Sequence, residues 1–220
     1  MPNIPDCKLK LSYADNGNVA KLGTITDYSL SGVSLNGTLY GDCYVDADGM
    51  HFSGADYINC GNDNSMKVSL PVTIMIWIKC SLPAALMRVL DTANSDGVYY
   101  YGFWVSVSTD GEVYGSYGDG GAPAVEGRRT KRGTSNIANN EWNHVAIVFR
   151  GATDISIYIN GIDDGGTYSG TGGDIRYGSY DCLLGKAQNG YYTGALDGFQ
   201  YITRALSQPE IMQLYSRGRR

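Results

Sequence analysis

Glutamate is scarce in this chain of 220 residues: it occurs only at positions 112, 126, 141 and 210. Few residues of the kind that cover exposed helix surfaces are left, so a mainly helical architecture is excluded. Long apolar runs are missing as well. The longest, Val72 to Ile78, is interrupted by Thr73 and falls far short of the roughly 20 residues that a membrane-spanning helix needs. Positive charge is in deficit, with a net charge of -5, which argues against a general nucleic-acid binder because that affinity comes from Lys and Arg displacing counterions from phosphates. The first residues, M-P-N-I-P-D-C-K-L-K, lack the apolar stretch of a secretory leader. Five cysteines, at 7, 43, 60, 80 and 182, are an odd number without C-x-x-C spacing, so neither a zinc site nor a complete disulfide framework is expected. Cys80 ends an apolar strand and Cys182 precedes Leu183-Leu184, positions where a reduced cysteine acts as a small buried hydrophobe.

What the chain has in abundance is turn chemistry. Glycine occurs 30 times and tyrosine 18 times, and Asp-Gly pairs such as those at 48, 96, 110, 164 and 197 occur together with Asn-Gly pairs at 16, 36, 160 and 189. Such pairs supply positive φ for tight turns between short strands. Their density among Val/Ile/Tyr-rich runs indicates a many-stranded antiparallel sandwich or barrel. The length suits one such domain over residues 1–220, since all-β domains commonly reach roughly 200 to 250 residues.

The firmest local signal is E-W-N-H-V-A-I-V-F-R-G-A-T-D-I-S-I-Y-I-N-G from Glu141 to Gly161. Val145, Ile147 and Phe149 fall on one face of a first strand, and Ile155, Ile157 and Ile159 alternate with polar residues on a second. Thr73 to Ile78 is apolar on both faces, as a central strand covered on both sides would be. Shorter strands are expected near Leu9 to Tyr13, at Met50-His51-Phe52 and at Tyr57-Ile58. Val98 to Val107 and Glu112 to Tyr117 form a further hairpin around Thr109-Asp110-Gly111, and Asp119 to Ser135 is expected to be a long polar loop. One helix is predicted, Ser207 to Tyr215, opened by a Ser-x-x-Glu capping box with Pro209 in its first turn and ended before Gly218.

Two groups of residues suggest binding. Sugar rings stack on exposed aromatic faces while neighbouring polar groups take the hydroxyls, which makes Tyr99, Tyr101, Tyr114, Tyr117, Tyr191 and Tyr192 candidates. Strand alternation puts Tyr99 and Tyr101 on one face and Tyr100 on the other. The run Arg128-Arg129-Thr130-Lys131-Arg132 places Arg128, Arg129, Lys131 and Arg132 together in an acidic protein, as a contact for an anionic glycan, a neighbouring acidic subunit or nucleic acid, or as a solvated loop. Trp77, Trp104 and Trp142 lie in apolar strands and are expected in the core. No catalytic residue is assigned: the one adjacent acid pair, Asp163-Asp164, follows Asn160-Gly161 in a turn, and neighbouring strand positions point to opposite faces.

The order of T-I-M-I-W-I-K, E-W-N-H-V-A-I-V-F, I-S-I-Y-I-N-G, L-L-G-K, G-A-L-D-G-F-Q-Y-I-T-R-A-L-S and Q-P-E-I-M-Q-L-Y resembles the laminin-G-like, concanavalin A-like lectin jelly roll, from about Leu9 to Gly218. The resemblance implies an all-β fold, an antiparallel two-sheet jelly-roll β-sandwich with one short C-terminal helix. It also implies that Trp142 and His144 are scaffold residues. Some family members hold a structural calcium ion between an early loop and the acid before the final strand, and Asp15 and Asp197 match those positions. The related sandwich glycosidases carry paired carboxylates about 5 to 5.5 Å apart on one strand; this chain has no such strand, so a glycoside hydrolase is the least favoured reading. The family's members serve as glycan-binding modules, adhesion domains or virion surface proteins, so fold alone leaves function open. Two readings follow. One is a surface structural or adhesion protein, such as a virion decoration, tail or fibre protein, that meets glycans or neighbouring subunits of a larger assembly; the other is a stand-alone, secreted carbohydrate-binding module. Both place the chain on a virion surface or outside the cell.

Overall fold

The hairpin expected between Glu141 and Gly161 is present, and the rest of the fold is laid down beside it. Asn143–Gly151 pairs antiparallel with Asp154–Ile159, with Val145 opposite Ile159, Ile147 opposite Ile157 and Phe149 opposite Ile155. The computed structural model describes residues 6–12, 16–29, 31–93, 99–121, 127–187 and 190–219. On its other edge Asn143–Gly151 pairs with Val72–Lys79, which pairs in turn with Thr193–Ile202. Gly49–Ser53, Tyr44–Asp46, Ile162–Asp163 and Cys7–Leu11 complete an eight-stranded sheet.

A second, nine-stranded sheet lies across it, ordered Thr167–Ser169, Arg128–Arg132, Val113–Gly118, Phe103–Val107, Met87–Asp91, Leu183–Leu184, Tyr57–Asn59, Gly37–Tyr40, Thr24–Ile25. Alternation drives the two inner faces together. Ile74, Ile76, Ile78, Val145, Ile147 and Phe149 from the first sheet share one core with Val89, Phe103, Val105, Val107, Val113 and Tyr117 from the second. Phe103 is its centre, with the rings of Phe149 at 4.9 Å, Tyr201 at 6.0 Å, Tyr177 at 6.2 Å and Tyr117 at 6.4 Å.

The Val72–Lys79 strand is apolar on both faces because both faces are covered. Its outward Met75 joins Ala146, Val148, Tyr158 and Ile202 in a second apolar cluster closed by Leu206 and Ile211. Ile211 belongs to the helix Gln208–Ser216, whose start carries the expected capping box between Ser207 and Glu210. The helix thus lies over the outer face of the eight-stranded sheet. Beneath it His144 is buried against Trp77 at 5.1 Å and Tyr215 at 6.1 Å.

Three expectations need correction. Asp119 to Ser135 is not one long loop: Arg128–Arg132 is a strand, with Thr130 opposite Ser116 and Lys131 opposite Gly115. Its four cations mask the signal, because each lies against a tyrosine ring across the sheet instead of pointing into water. Asp197-Gly198 is not a turn. Gly198, at φ +58, sits inside Thr193–Ile202 where the pairing with Val72–Lys79 slips, a β-bulge that uses glycine's access to positive φ. The strand expected from Val98 begins only at Phe103, and Val98 itself lies outside the described residues.

Burial lowers the pKa of His144 to about 4. A folded-state value below the ordinary 6.5 means that the stability from keeping this ring neutral is complete above pH 6.5 and is lost as the pH falls toward 4. A His144→Leu variant is therefore expected to lose part of the acid sensitivity of unfolding between pH 7 and 4, on the order of 3 kcal/mol. Urea titrations at a series of pH values check it, and parallel curves for variant and parent would contradict it.

Candidate functional site

The helix covers part of the outer face of the eight-stranded sheet, while the outer face of the nine-stranded sheet carries no helix. Register aligns Asn59, Leu183, Asp91, Trp104, Ser116 and Thr130 in one row across six of its strands. Trp104 is only 5% exposed, because the Tyr100 ring stacks on it at 5.7 Å and the Arg88 guanidinium lies 5.8 Å from its ring centre. Arg88 Nη1 also donates to Ser106 Oγ at 2.8 Å. Beyond this cover, at the Asn59 end of the row, the face opens into a groove of about 370 Å³ lined by Tyr57, Asn59, Asp91, Tyr180, Asp181 and Lys186, among others.

Each of these side chains is held in place. Tyr57 stacks on Tyr40 at 4.7 Å with rings 3° from parallel, and Lys186 Nζ lies 4.1 Å from the Tyr57 ring centre and 5.6 Å from that of Tyr191. The result is a ladder of Tyr40, Tyr57, Lys186 and Tyr191, with Tyr40 and Tyr191 exposed. Asn59 Nδ2 donates to Asp181 Oδ2 at 2.8 Å, and Asn59 Oδ1 accepts from the Gly61 N–H at 2.7 Å. Tyr180 keeps its position because residue 178 is glycine: a Cβ there would stand 2.6 Å from a Tyr180 ring carbon. Asp91, at the groove floor, accepts the Ala93 N–H at 2.7 Å. Burial pushes its carboxyl up to about 7, against the opposing effects of the Arg88 charge and that hydrogen bond. The groove thus offers aromatic faces, an amide, carboxylates and one ammonium, the groups that take up a polyhydroxylated ring.

The residues expected to bind from sequence are distributed differently. Tyr99 and Tyr101 do come together, their rings 6.2 Å apart, with Tyr99 44% exposed. Tyr117 and Tyr192 are fully buried and offer no face to a sugar; their hydroxyls donate to the carbonyls of Gly173 and Lys79 at 3.1 and 3.0 Å. Tyr114 lies under Arg132, whose guanidinium is 5.4 Å from its ring centre. Tyr191 reaches the groove only through Lys186. The four cations are divided between two faces of their strand: Arg128 rests on Tyr100 at 5.1 Å, while Arg129 and Lys131 hold Tyr168 at 4.5 and 4.2 Å. Arg132 is further paired with Glu112 and, at 3.0 Å, with Asp110.

Asp15 lies outside the described residues. Asp197 is 2% exposed, and its Oδ1 accepts the Gly198 N–H at 2.7 Å. The cation beside it is Arg219, 3.6 Å from Asp197 Oδ2, 3.4 Å from Asp48 and 4.1 Å from the centre of the Trp142 ring. Among the described residues no three His, Cys, Asp or Glu side chains gather as a metal-holding group, and one buried carboxylate facing a guanidinium does not supply the roughly six to eight oxygens calcium takes. Asp164 of the Asp163-Asp164 pair is tied down by the N–H groups of Thr134 and Ser135 at 2.8 and 3.1 Å. Sequence reasoning missed Tyr180, Asn59, Asp91, Asp181 and Lys186, which come from three separated segments; the signal it did hold was Tyr57 at the start of an expected strand.

A face-to-face antiparallel sandwich with a lidded back and an open polar front defines a lectin-like jelly roll. The chain matches the Laminin_G_3 model, described as the concanavalin A-like lectin/glucanases superfamily, over residues 52–212, and it belongs to that family. No curated protein matches it. Among solved structures it is similar to the receptor binding domain of botulinum neurotoxin D, with TM-score 0.67 and 16% identity over 96% of this chain and 52% of that one. The ligand binding domain of botulinum neurotoxin serotype D in complex with N-acetylneuraminic acid matches with TM-score 0.64 and 14% identity, over 97% of this chain and 51% of that one. Domain 4 of AbnA, a GH43 extracellular arabinanase from Geobacillus stearothermophilus, in complex with arabinotriose, matches with TM-score 0.64 and 19% identity, over 96% of this chain and 98% of that one. The chain thus spans about half the length of the neurotoxin domains and nearly all of the arabinanase domain. At these identities the likeness is one of fold.

The raised Asp91 value has the opposite linkage to that of His144: stability is complete below the ordinary 3.8 and is lost as the pH rises toward about 7. Asp91→Asn is expected to match the parent near pH 4 and to exceed it by on the order of 4 kcal/mol at pH 8. Urea unfolding at the two pH values checks this, and an equal difference at both would contradict it.

Proposed function

We propose that this chain is a non-catalytic recognition module that binds an oligosaccharide in the groove of Tyr57, Asn59, Tyr180, Asp181 and Lys186. The observation that carries the reading is the convergence of tyrosine rings with an amide, a carboxylate and an ammonium in the open part of the one large sheet face that the helix does not cover. Tyr180 gives a ring for stacking, while Asn59, Asp181 and Lys186 supply hydroxyl partners. The glycan complexes of two similar structures support the choice of ligand class. A binding role is further favoured by the fixed acids and by His144, which is buried and neutral. Glycan-array screening followed by calorimetry tests it. Tyr180→Ala and Lys186→Ala are expected to weaken the best ligand at least about tenfold, a loss of about 1.4 kcal/mol each, with no change in melting temperature. Tyr44→Ala, on the opposite sheet, is expected to leave binding intact. A ligand lost only with Tyr44 would place the site in the other outer groove, where Tyr44 stacks on His51 at 4.5 Å.

A second reading, attachment within a larger surface assembly of the virion or adhesion kind, is favoured by Leu82, Leu86 and Tyr191. These are 56%, 40% and 39% exposed and line one depression of about 350 Å³; exposed apolar surface of this kind marks protein contacts. Light scattering on the eluted protein should then show a multimer that Leu82→Glu reduces to a single chain. A monomeric parent leaves the glycan module as the sole reading.

A further inference from the structure

Two of the five cysteines face each other across the strands that build the groove. Leu183 is opposite Asn59 and Leu184 opposite Ile58. Just beyond that ladder Cys182 lies beside Cys60: the Cys60 N–H donates to the Cys182 carbonyl at 2.9 Å, while the Cys182 N–H donates to the Gly61 carbonyl at 2.7 Å. Both side chains point inward, in step with Ile58 and Leu184, and all four belong to the main core. Directly opposed residues of an antiparallel pair have Cα atoms about 4.5 to 5.5 Å apart, inside the roughly 4.4 to 6.8 Å that a disulfide spans. All five cysteines are buried free thiols in this structure; Cys43 and Cys80 lie elsewhere in the main core and Cys7 in the cluster beneath the helix.

We propose that Cys60 and Cys182 form a cross-strand disulfide when the chain folds in the presence of a small-molecule disulfide. In the first step the thiolate of one cysteine attacks the small disulfide, forming a mixed disulfide and expelling one small thiolate. In the second, the other cysteine, as its thiolate, attacks the protein sulfur of that mixed disulfide and expels the second. One small disulfide is reduced to two thiols, which take up the two cysteine protons, and the two cysteines are oxidised. Each cysteine is 3% exposed in the fold, so the exchange belongs to folding, before the core closes around the sulfurs. The bond would join the residue after Tyr57–Asn59 to the residue after Tyr180-Asp181, the two segments already bridged by the Asn59–Asp181 hydrogen bond. It would brace the groove from below, and it stands whether or not the groove takes a sugar.

The test is to refold the reduced, denatured chain in a mixture of reduced and oxidised glutathione, and in parallel in excess reductant, then to alkylate and map the peptides. The oxidised sample should lose the mass of two hydrogens and yield one linked pair of peptides, carrying Cys60 and Cys182, with Cys7, Cys43 and Cys80 alkylated. Because the bond closes a loop of more than a hundred residues, its melting temperature should exceed that of the reduced sample by roughly 5 °C or more. Cys60→Ser should abolish the linked pair. Full alkylation of Cys60 and Cys182 after oxidative refolding, or a linked pair that survives Cys60→Ser, would overturn the proposal; the peptide map of the parent chain decides it even where the variant does not fold.

Discussion

The structure depends on one contact between layers, the packing of Phe103 from the nine-stranded sheet against Phe149 from the eight-stranded one, 4.9 Å from ring centre to ring centre. Tyr201 and Tyr177 close on the same ring, and Tyr117 stands edge-on to Phe149 at 6.2 Å. Each such pair adds about 0.5–1.5 kcal/mol beyond the area it buries, and truncating a buried phenylalanine commonly costs about 3–5 kcal/mol. The geometric effect matters more than the sum: one inner face fixed on the other fixes the register of every strand, and with it which side chains face out.

That constraint makes the two outer faces unequal. On the eight-stranded sheet the outward row of Met75, Ala146, Val148 and Ile202 is apolar and is covered by the C-terminal helix. On the nine-stranded sheet the corresponding rows carry Asn59, Asp91, Ser106, Ser116 and Thr130. The apolar Trp104 of this face is already covered by Tyr100 and Arg88, so the face keeps its polar groups and the groove without a helix. The raised Asp91 carboxyl and the lowered His144 ring show the same division from inside: each is removed from water, one on each outer face, and both are neutral between about pH 4 and about pH 7.

The basic strand shows how tertiary contact overrides local composition. Arg128, Arg129, Lys131 and Arg132 would repel one another in an isolated segment, and their density reads as a solvated loop. In the fold each lies over a ring of Tyr100, Tyr114 or Tyr168 supplied by another segment, and Arg132 gains Glu112 and Asp110. The charges end as the cover of tyrosines that would otherwise have been open platforms. Arg219 does the same for Trp142 while standing beside Asp197.

Sequence by itself determined the elements of the scaffold, the Glu141–Gly161 hairpin, the doubly apolar central strand and the capped helix, while the jelly roll came from the resemblance of their order to a known family. These were legible because alternation, turn pairs and caps are local, and each depends only on neighbours in the chain. Tertiary structure alone decided which tyrosines are open and which are core, since Tyr191 and Tyr192 are adjacent in sequence yet one is 39% exposed and the other fully buried. It also decided that Asp197-Gly198 is a bulge rather than a turn, that a run of cations is a strand, and that Cys60 meets Cys182. The groove belongs to the same class. Its floor and walls come from Tyr57–Asn59, Asp91 and Tyr180 to Lys186, segments brought together only by the pairing of Leu183–Leu184 between Tyr57–Asn59 and Met87–Asp91, a long-range register that no local pattern encodes.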